Sequence, residues 1–170
     1  AMRELIRQYA LEKLQASGQG IGAAERHLHY FLQFVLAARE QLRGPNLVEW
    51  YNRLEQEHAN VRAALTWAFT VDATSERIEQ GLQLATANHR YWQGRGHLRE
   101  GFTWLERGLQ MNAAIGAATR ANALQIGGWL LHQLGNSQRA STMLQESVML
   151  YQELQDETNL AATLDFLGDV

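Results

Sequence analysis

No cysteine occurs anywhere in the 170 residues, which excludes disulfides, thiolate metal sites and a cysteine nucleophile at once. Proline occurs once, as Pro45, so nothing else in the chain interrupts a helix by ring geometry or by a missing backbone donor. Lysine is also single, Lys13, and every other fixed cation is an arginine, a side chain that pairs bidentately with carboxylates and phosphates and packs well over apolar surface. The net charge of −3 is too small, and of the wrong sign, for a general attraction to nucleic acid or to an anionic membrane. There is no Asn-x-Ser/Thr sequon, no secretory leader pattern at the start, and no apolar run of the about 20 residues a spanning helix needs. Cytoplasmic residence, with no membrane contact, is the expectation these absences leave.

What is present is an ordinary globular balance, 46% hydrophobic and 19% charged, on a chain long enough to bury a sizeable core. Charge is unevenly spread. Beyond residue 119 the only fixed cations are Arg120 and Arg139, against Glu146, Glu153, Asp156, Glu157, Asp165 and Asp169. Direct nucleic-acid binding is therefore disfavoured.

Apolar residues recur at helical spacing throughout. Leu5, Ile6, Tyr9, Ala10 and Leu14 predict a first helix over 3–17, closed at Ser17-Gly18. Gly18, Gly20 and Gly22 read as a flexible joint; no strand precedes them, as a dinucleotide-binding loop would require. Leu28, Phe31, Leu32, Val35 and Leu42 predict a helix over 23–42, stopped by Gly44-Pro45. Asn46 with Glu49 reads as a capping box for a helix carrying Leu47, Trp50, Leu54, Val61, Leu65 and Phe69. Further helices are predicted at 76–94, 97–112, 117–134, 137–154 and 158 onward, with breaks at Gly94/Gly96, Gly116, Gly135-Asn136 and Asp156. No stretch alternates as a half-buried strand does.

Self-similarity follows. Trp92 and Leu131, Gly96 and Gly135, Gly101 and Ala140, and Leu105 and Leu144 are each 39 residues apart; Leu124 and Leu164, and Gly128 and Gly168, are 40 apart. Leu124, Gly127-Gly128, Leu131, Ala140 and Leu144 resemble the tetratricopeptide (TPR) pattern, although the spacing exceeds the usual ~34 residues and the pattern's closing proline is missing. Small residues at Gly101, Gly128 and Ala140 would let paired helices approach closely. The resemblance implies an all-α fold, a right-handed α-solenoid of antiparallel helix hairpins, TPR-like with 39–40-residue spacing. Residues 1–17 would be an N-terminal helix ending a preceding domain, 23–72 a divergent long hairpin, and 76–170 the TPR-like repeats, the last incomplete. An uncapped last hairpin predicts weak homodimerisation or a frayed end.

A second resemblance is more specific. Met2–Leu14, Leu54-Glu-Gln-Glu-His58-Ala-Asn60-Val-Arg-Ala-Ala-Leu65, Gly94–Gly101 and Trp104–Leu109 resemble, in that order, segments of bacterial STAND-class signalling ATPases and related winged-helix transcriptional regulators. The resemblance implies a regulatory arm of a longer protein. The P-loop G-x-x-x-x-G-K-[ST] is absent, so no nucleotide hydrolysis is implied for this segment.

Catalytic and metal signals are few. His27 and His29 are two apart and diverge on a helix; no HExxH pair occurs, and His89, His97 and His132 fall on separate predicted helices, so no metal, cofactor or catalytic residue is expected. Glu55 and His58 share a helix face at i,i+3 and read as salt-bridge material, tied to Arg62 or a neighbouring helix. Arg95 and Arg99 are candidate anion contacts, with Arg90 beside them. In TPR-like superhelices the first helix of each pair lines the concave face. Here that face would expose Gln83, Thr86, Arg90 and Gln93, then Asn122, Gln125, Trp129, His132 and Gln133, then Asp165 and Asp169, with Trp129 as the anchor for a protein or peptide partner or for other domains of the same parent chain. The alternative is a free-standing TPR adaptor; an enzyme is the least favoured class.

Overall fold

The computed structural model describes residues 20–111 and 113–170, and every described element is helical. In chain order they are α1 (Gly20–Gln41), α2 (Leu47–Ala68), α3 (Ser75–Ala87), α4 (His89–Arg95), α5 (Leu98–Leu109), α6 (Ala117–Gln133), α7 (Ser137–Glu153) and α8 (Glu157–Gly168). The helix expected over 3–17, with the N-terminal segment 1–17, lies outside the described residues.

Successive helices fold back on one another. Phe34 of α1 meets Trp50 of α2, ring centroids 6.0 Å apart, across the Gly44-Pro45 turn. Trp92 of α4 lies against Gly101 of α5, and Leu82 of α3 against Gly108, so α5 runs back along α3 and α4. Arg120 of α6 pairs with Glu146 of α7 (2.6 Å), Ser147 Oγ donates to the Ala121 carbonyl (2.8 Å), and Gly128 faces Leu144 and Ala140. The small-residue expectation is met physically. A Cβ on Gly101 would sit 2.7 Å from Trp92 Cδ2, and one on Gly128 would sit 2.8 Å from Leu144 Cγ. Neither hairpin could close to this distance with a larger residue.

The Gly96–Gly135 match in the 39-residue self-similarity marks a recurring helix end, and the same closure is used once more, off that spacing, at Gln155. The His97 N–H donates to the Trp92 carbonyl (2.8 Å), Asn136 to Leu131 (2.9 Å) and Asp156 to Tyr151 (3.0 Å). The residue between is left-handed each time, at Gly96 (φ 77°), Gly135 (φ 80°) and Gln155 (φ 56°). These bonds are the six-to-one closure that satisfies the last carbonyls of a helix. The residue after each closure then begins the next helix. Asn136 and Asp156 accept side-chain capping bonds from the Arg139 and Asn159 amides, whereas His97 makes no side-chain cap and its ring is turned to other contacts.

Boundaries differ from expectation in three places. The helix expected from Ala23 is already formed at Gly20, the first described residue of this stretch, so Gly20 and Gly22 lie within α1 rather than in a joint. Asn46 makes no side-chain cap, because its φ of −90° and ψ of 14° already approach helical values and point the side chain away from the α2 amides. The helix expected over 76–94 is interrupted at Asn88, although the Asn88 N–H still reaches Leu84 (3.1 Å) and the Trp92 N–H still reaches Asn88 (3.2 Å).

One core runs through α1 to α6 and reaches α7 at Ala140. Leu28, Val35, Leu54, Leu65, Leu82, Leu84, Tyr91, Trp92, Leu105 and Leu130 are all buried within it. No helix of the described residues is long and apolar enough to cross a membrane.

Candidate functional site

A cleft of about 370 Å³ is lined by Arg39 of α1, Gln83 of α3, Ala118, Thr119 and Asn122 of α6, Tyr151 of α7, the α8 cap Asp156, and Asn159. Its walls come from five helices, and its lining is mostly polar. Thr119 Oγ1 is held by Glu79 Oε1 at 2.7 Å, which fixes the α6 wall to α3. Gln83 and Asn122 were both expected to face a partner, and they line this one cleft. Arg39 and Thr119 were not foreseen. Arg39 belongs to α1, outside the repeat register that ordered the expectation.

The other expected groove residues disperse. Gln125 is buried, not exposed: Nε2 donates to Thr163 Oγ1 (2.9 Å), and Oε1 accepts from Tyr151 Oη at 3.5 Å. It ties α6 to α7 and α8 because a buried amide must find partners. Trp129 is half-buried between helices, its ring 6.1 Å from His89 and 6.3 Å from Phe166. Aromatic packing against both is what the structure gives it. His132 is half-buried, and its buried Nδ1 has no partner among the described residues. Gln93, Gln133, Asp165 and Asp169 are exposed, and Thr86 is buried.

The anion contacts also rearrange. Arg95 donates to Asn52 (2.9 Å), pairs with Glu55 (3.4 Å) and lies over the Tyr51 ring; Arg99 is exposed. Arg90 is half-buried. Burial, and then the nearby guanidinium groups of Arg43 and Arg39, hold its pKa below the ordinary arginine value, and its buried Nε has no hydrogen-bond partner among the described residues. The same surroundings act on His89. Its Nδ1 lies 2.7 Å from the Thr86 carbonyl, and burial, with the positive charge of Arg90, Arg39 and Arg43, lowers its pKa to about 4.

A second cluster joins α2 to the turn between α4 and α5. His58 Nε2 lies 3.0 Å from Glu100 Oε1, and Arg62 Nε lies 3.3 Å from the same oxygen. The Trp104 indole donates to it at 3.4 Å, and Tyr91 Oη donates to Glu55 Oε2 at 3.1 Å. The His58 and His97 rings stand 4.9 Å apart. Glu55 and His58 were expected to tie α2 to Arg62 or to a neighbour; His58 instead hydrogen-bonds Glu100 of α5, and Glu55 meets Tyr91 and Arg95 of α4. The convergence of His97 was not expected, because helix spacing cannot reveal a ring delivered by a turn from another hairpin. Sequence spacing also missed a groove of about 590 Å³ between α1 and α3, lined by residues including Arg26, Tyr30 and Arg77.

The described residues thus define an all-helical domain with a polar interhelical cleft. No protein-family model matches the sequence, and no solved structure matches the chain. Over 177 aligned positions, 97% of this chain, the sequence is 33% identical to proteins provisionally named HTH-type transcriptional regulators in Mycobacterium bovis and in two strains of Mycobacterium tuberculosis. The alignment covers only 19% of the length of those relatives.

Proposed function

We propose that this chain is the non-catalytic, TPR-like regulatory arm of a larger transcriptional regulator, of the STAND-like or winged-helix kind. The observation that carries this reading is the alignment: nearly all of this chain corresponds to about a fifth of proteins named for transcriptional regulation. The recurring helix end at Gly96 and Gly135 supports a repeat architecture, stacked hairpins of a right-handed solenoid, in which neighbouring hairpins share one core. The cleft lined by Arg39, Gln83, Thr119 and Asn122 is where a protein or peptide segment, or another domain of the same parent, docks. Its occupancy shifts the packing of the arm against the rest of the regulator. DNA recognition belongs to another part of the parent, since this chain is net acidic and its cations after residue 119 are both paired, Arg120 with Glu146 and Arg139 with Glu106. The setting is cytoplasmic.

Selection from a randomised duplex library tests the division of labour. The full-length regulator enriches a consensus sequence, whereas the 170-residue chain alone enriches none. A consensus recovered with the chain alone would place DNA recognition here and sink the reading.

A further inference from the structure

We propose that Glu55, His58 and His97, with Glu100 bordering them, form a binding site for a zinc-class divalent metal ion. One ligating atom from each of Glu55, His58 and His97 lies within 4.8 Å of the others. The site stands apart from the cleft and does not depend on the proposed regulatory role.

The donors reach this point by three routes. Glu55 and His58 are i,i+3 on α2 and leave one face of that helix together. His97 is delivered by the turn after α4. Its own amide is fixed on the Trp92 carbonyl at 2.8 Å, and the left-handed Gly96 before it sets the direction of exit. At the equivalent turns Asn136 and Asp156 spend their side chains on capping, and His97 does not. Glu100 follows in the first turn of α5.

The chemistry and the spacing agree. Two imidazoles with carboxylates are a donor set that zinc accepts at about 2.0–2.2 Å, and tetrahedral donors on one such ion stand about 3.4 Å apart. His58 Nε2 and Glu100 Oε1 are 3.0 Å apart, a hydrogen bond whose proton is displaced when the ion takes the His58 nitrogen. Glu55 is exposed and, to complete the site, has to swing from Arg95 onto the ion. Around these groups stands an orienting shell: Tyr91 Oη on Glu55, and Trp104 Nε1 on Glu100. Arg95 and Arg62 pair with the two carboxylates and give way, or shift to the outer oxygens, when the ion enters. A metal held here links α2 to the α4–α5 turn.

The test is calorimetric titration of zinc into the full chain after chelator treatment, repeated with His58→Gln, His97→Gln and the control His29→Gln, each checked for folding by circular dichroism. One saturating site is expected, weakened at least tenfold by each of His58→Gln and His97→Gln and unchanged by His29→Gln. Cobalt supplies the second readout: visible d–d bands of a four- or five-coordinate ion, lost in His97→Gln. Because His97 makes no cap, that variant keeps the site testable even if His58→Gln fails to fold. The absence of saturable binding, or binding that survives both substitutions, would overturn the assignment, as would equal loss in the His29 control.

Discussion

Replacing Trp92 by alanine is expected to lower stability by about 3–5 kcal/mol, a large share of the roughly 5–15 kcal/mol that keeps a domain folded. Trp92 is fully buried and seats the hairpin of α3–α4 with α5 directly on Gly101. Its removal leaves a cavity that glycine cannot fill from across the interface. Trp92→Phe is expected to be much milder than the lost volume suggests. Among the described residues the buried indole Nε1 has no partner, so phenylalanine removes an unpaired donor together with the second ring. Urea denaturation of the three proteins checks the ordering. A Trp92→Phe penalty equal to that of Trp92→Ala would mean that the indole N–H has a partner after all.

The second large effect is one of pH. His89 has its pKa lowered from 6.5 to about 4 by burial and by the surrounding arginines, so the folded protein resists protonation that the unfolded chain accepts. The neutral form is the stabilising one. Its contribution is fully present above pH 6.5 and is lost as pH falls from there toward 4, reaching roughly 3 kcal/mol. His27 is also shifted downward by burial and adds in the same direction. The lowered carboxylates Asp72 and Asp156 lose their effect only as pH falls through and below the ordinary value of 3.8, beneath this window. Urea midpoints should therefore be flat above pH 6.5 and decline between pH 6.5 and 4. His89→Gln should flatten most of that decline, and an unchanged slope in this variant would contradict the assignment.

Much of the architecture is legible in the sequence, because it is written in helical periodicity and in breakers. Leu28, Val35, Leu54, Leu65 and Leu105 announce buried faces, and Gly44-Pro45 and Gly135-Asn136 announce ends. The match of Gly96 to Gly135 goes further, since the same left-handed closure recurs at both. Asn46 misleads because a capping residue caps only when its backbone is extended, and the Gly44-Pro45 turn leaves it nearly helical. Gly20 and Gly22 mislead because the gain from burying Leu28 and Phe31 outweighs the local cost of glycine in the first turns of α1.

The candidate sites are far less legible. Repeat register puts Gln83 and Asn122 on one expected face, where they do line a common cleft, but it cannot see Arg39, which arrives from α1. It also cannot tell an exposed glutamine from a buried one. Gln125 falls at an inward position and is then covered by Thr163 and Tyr151. The meeting of His58 with His97 depends on tertiary packing over 39 residues of chain, and no spacing rule on a single helix contains it.

The proposed regulatory arm is tested most directly in the full-length regulator, by measuring promoter-DNA affinity and transcriptional output together for the unaltered protein, Arg39→Glu and Asn122→Trp. Both substitutions should leave DNA affinity within about twofold and change signal-dependent output by about fivefold or more, the scale of a coupling free energy between sites. Output that stays unchanged while the cleft is blocked, or DNA affinity that falls with it, would contradict a role in transmission.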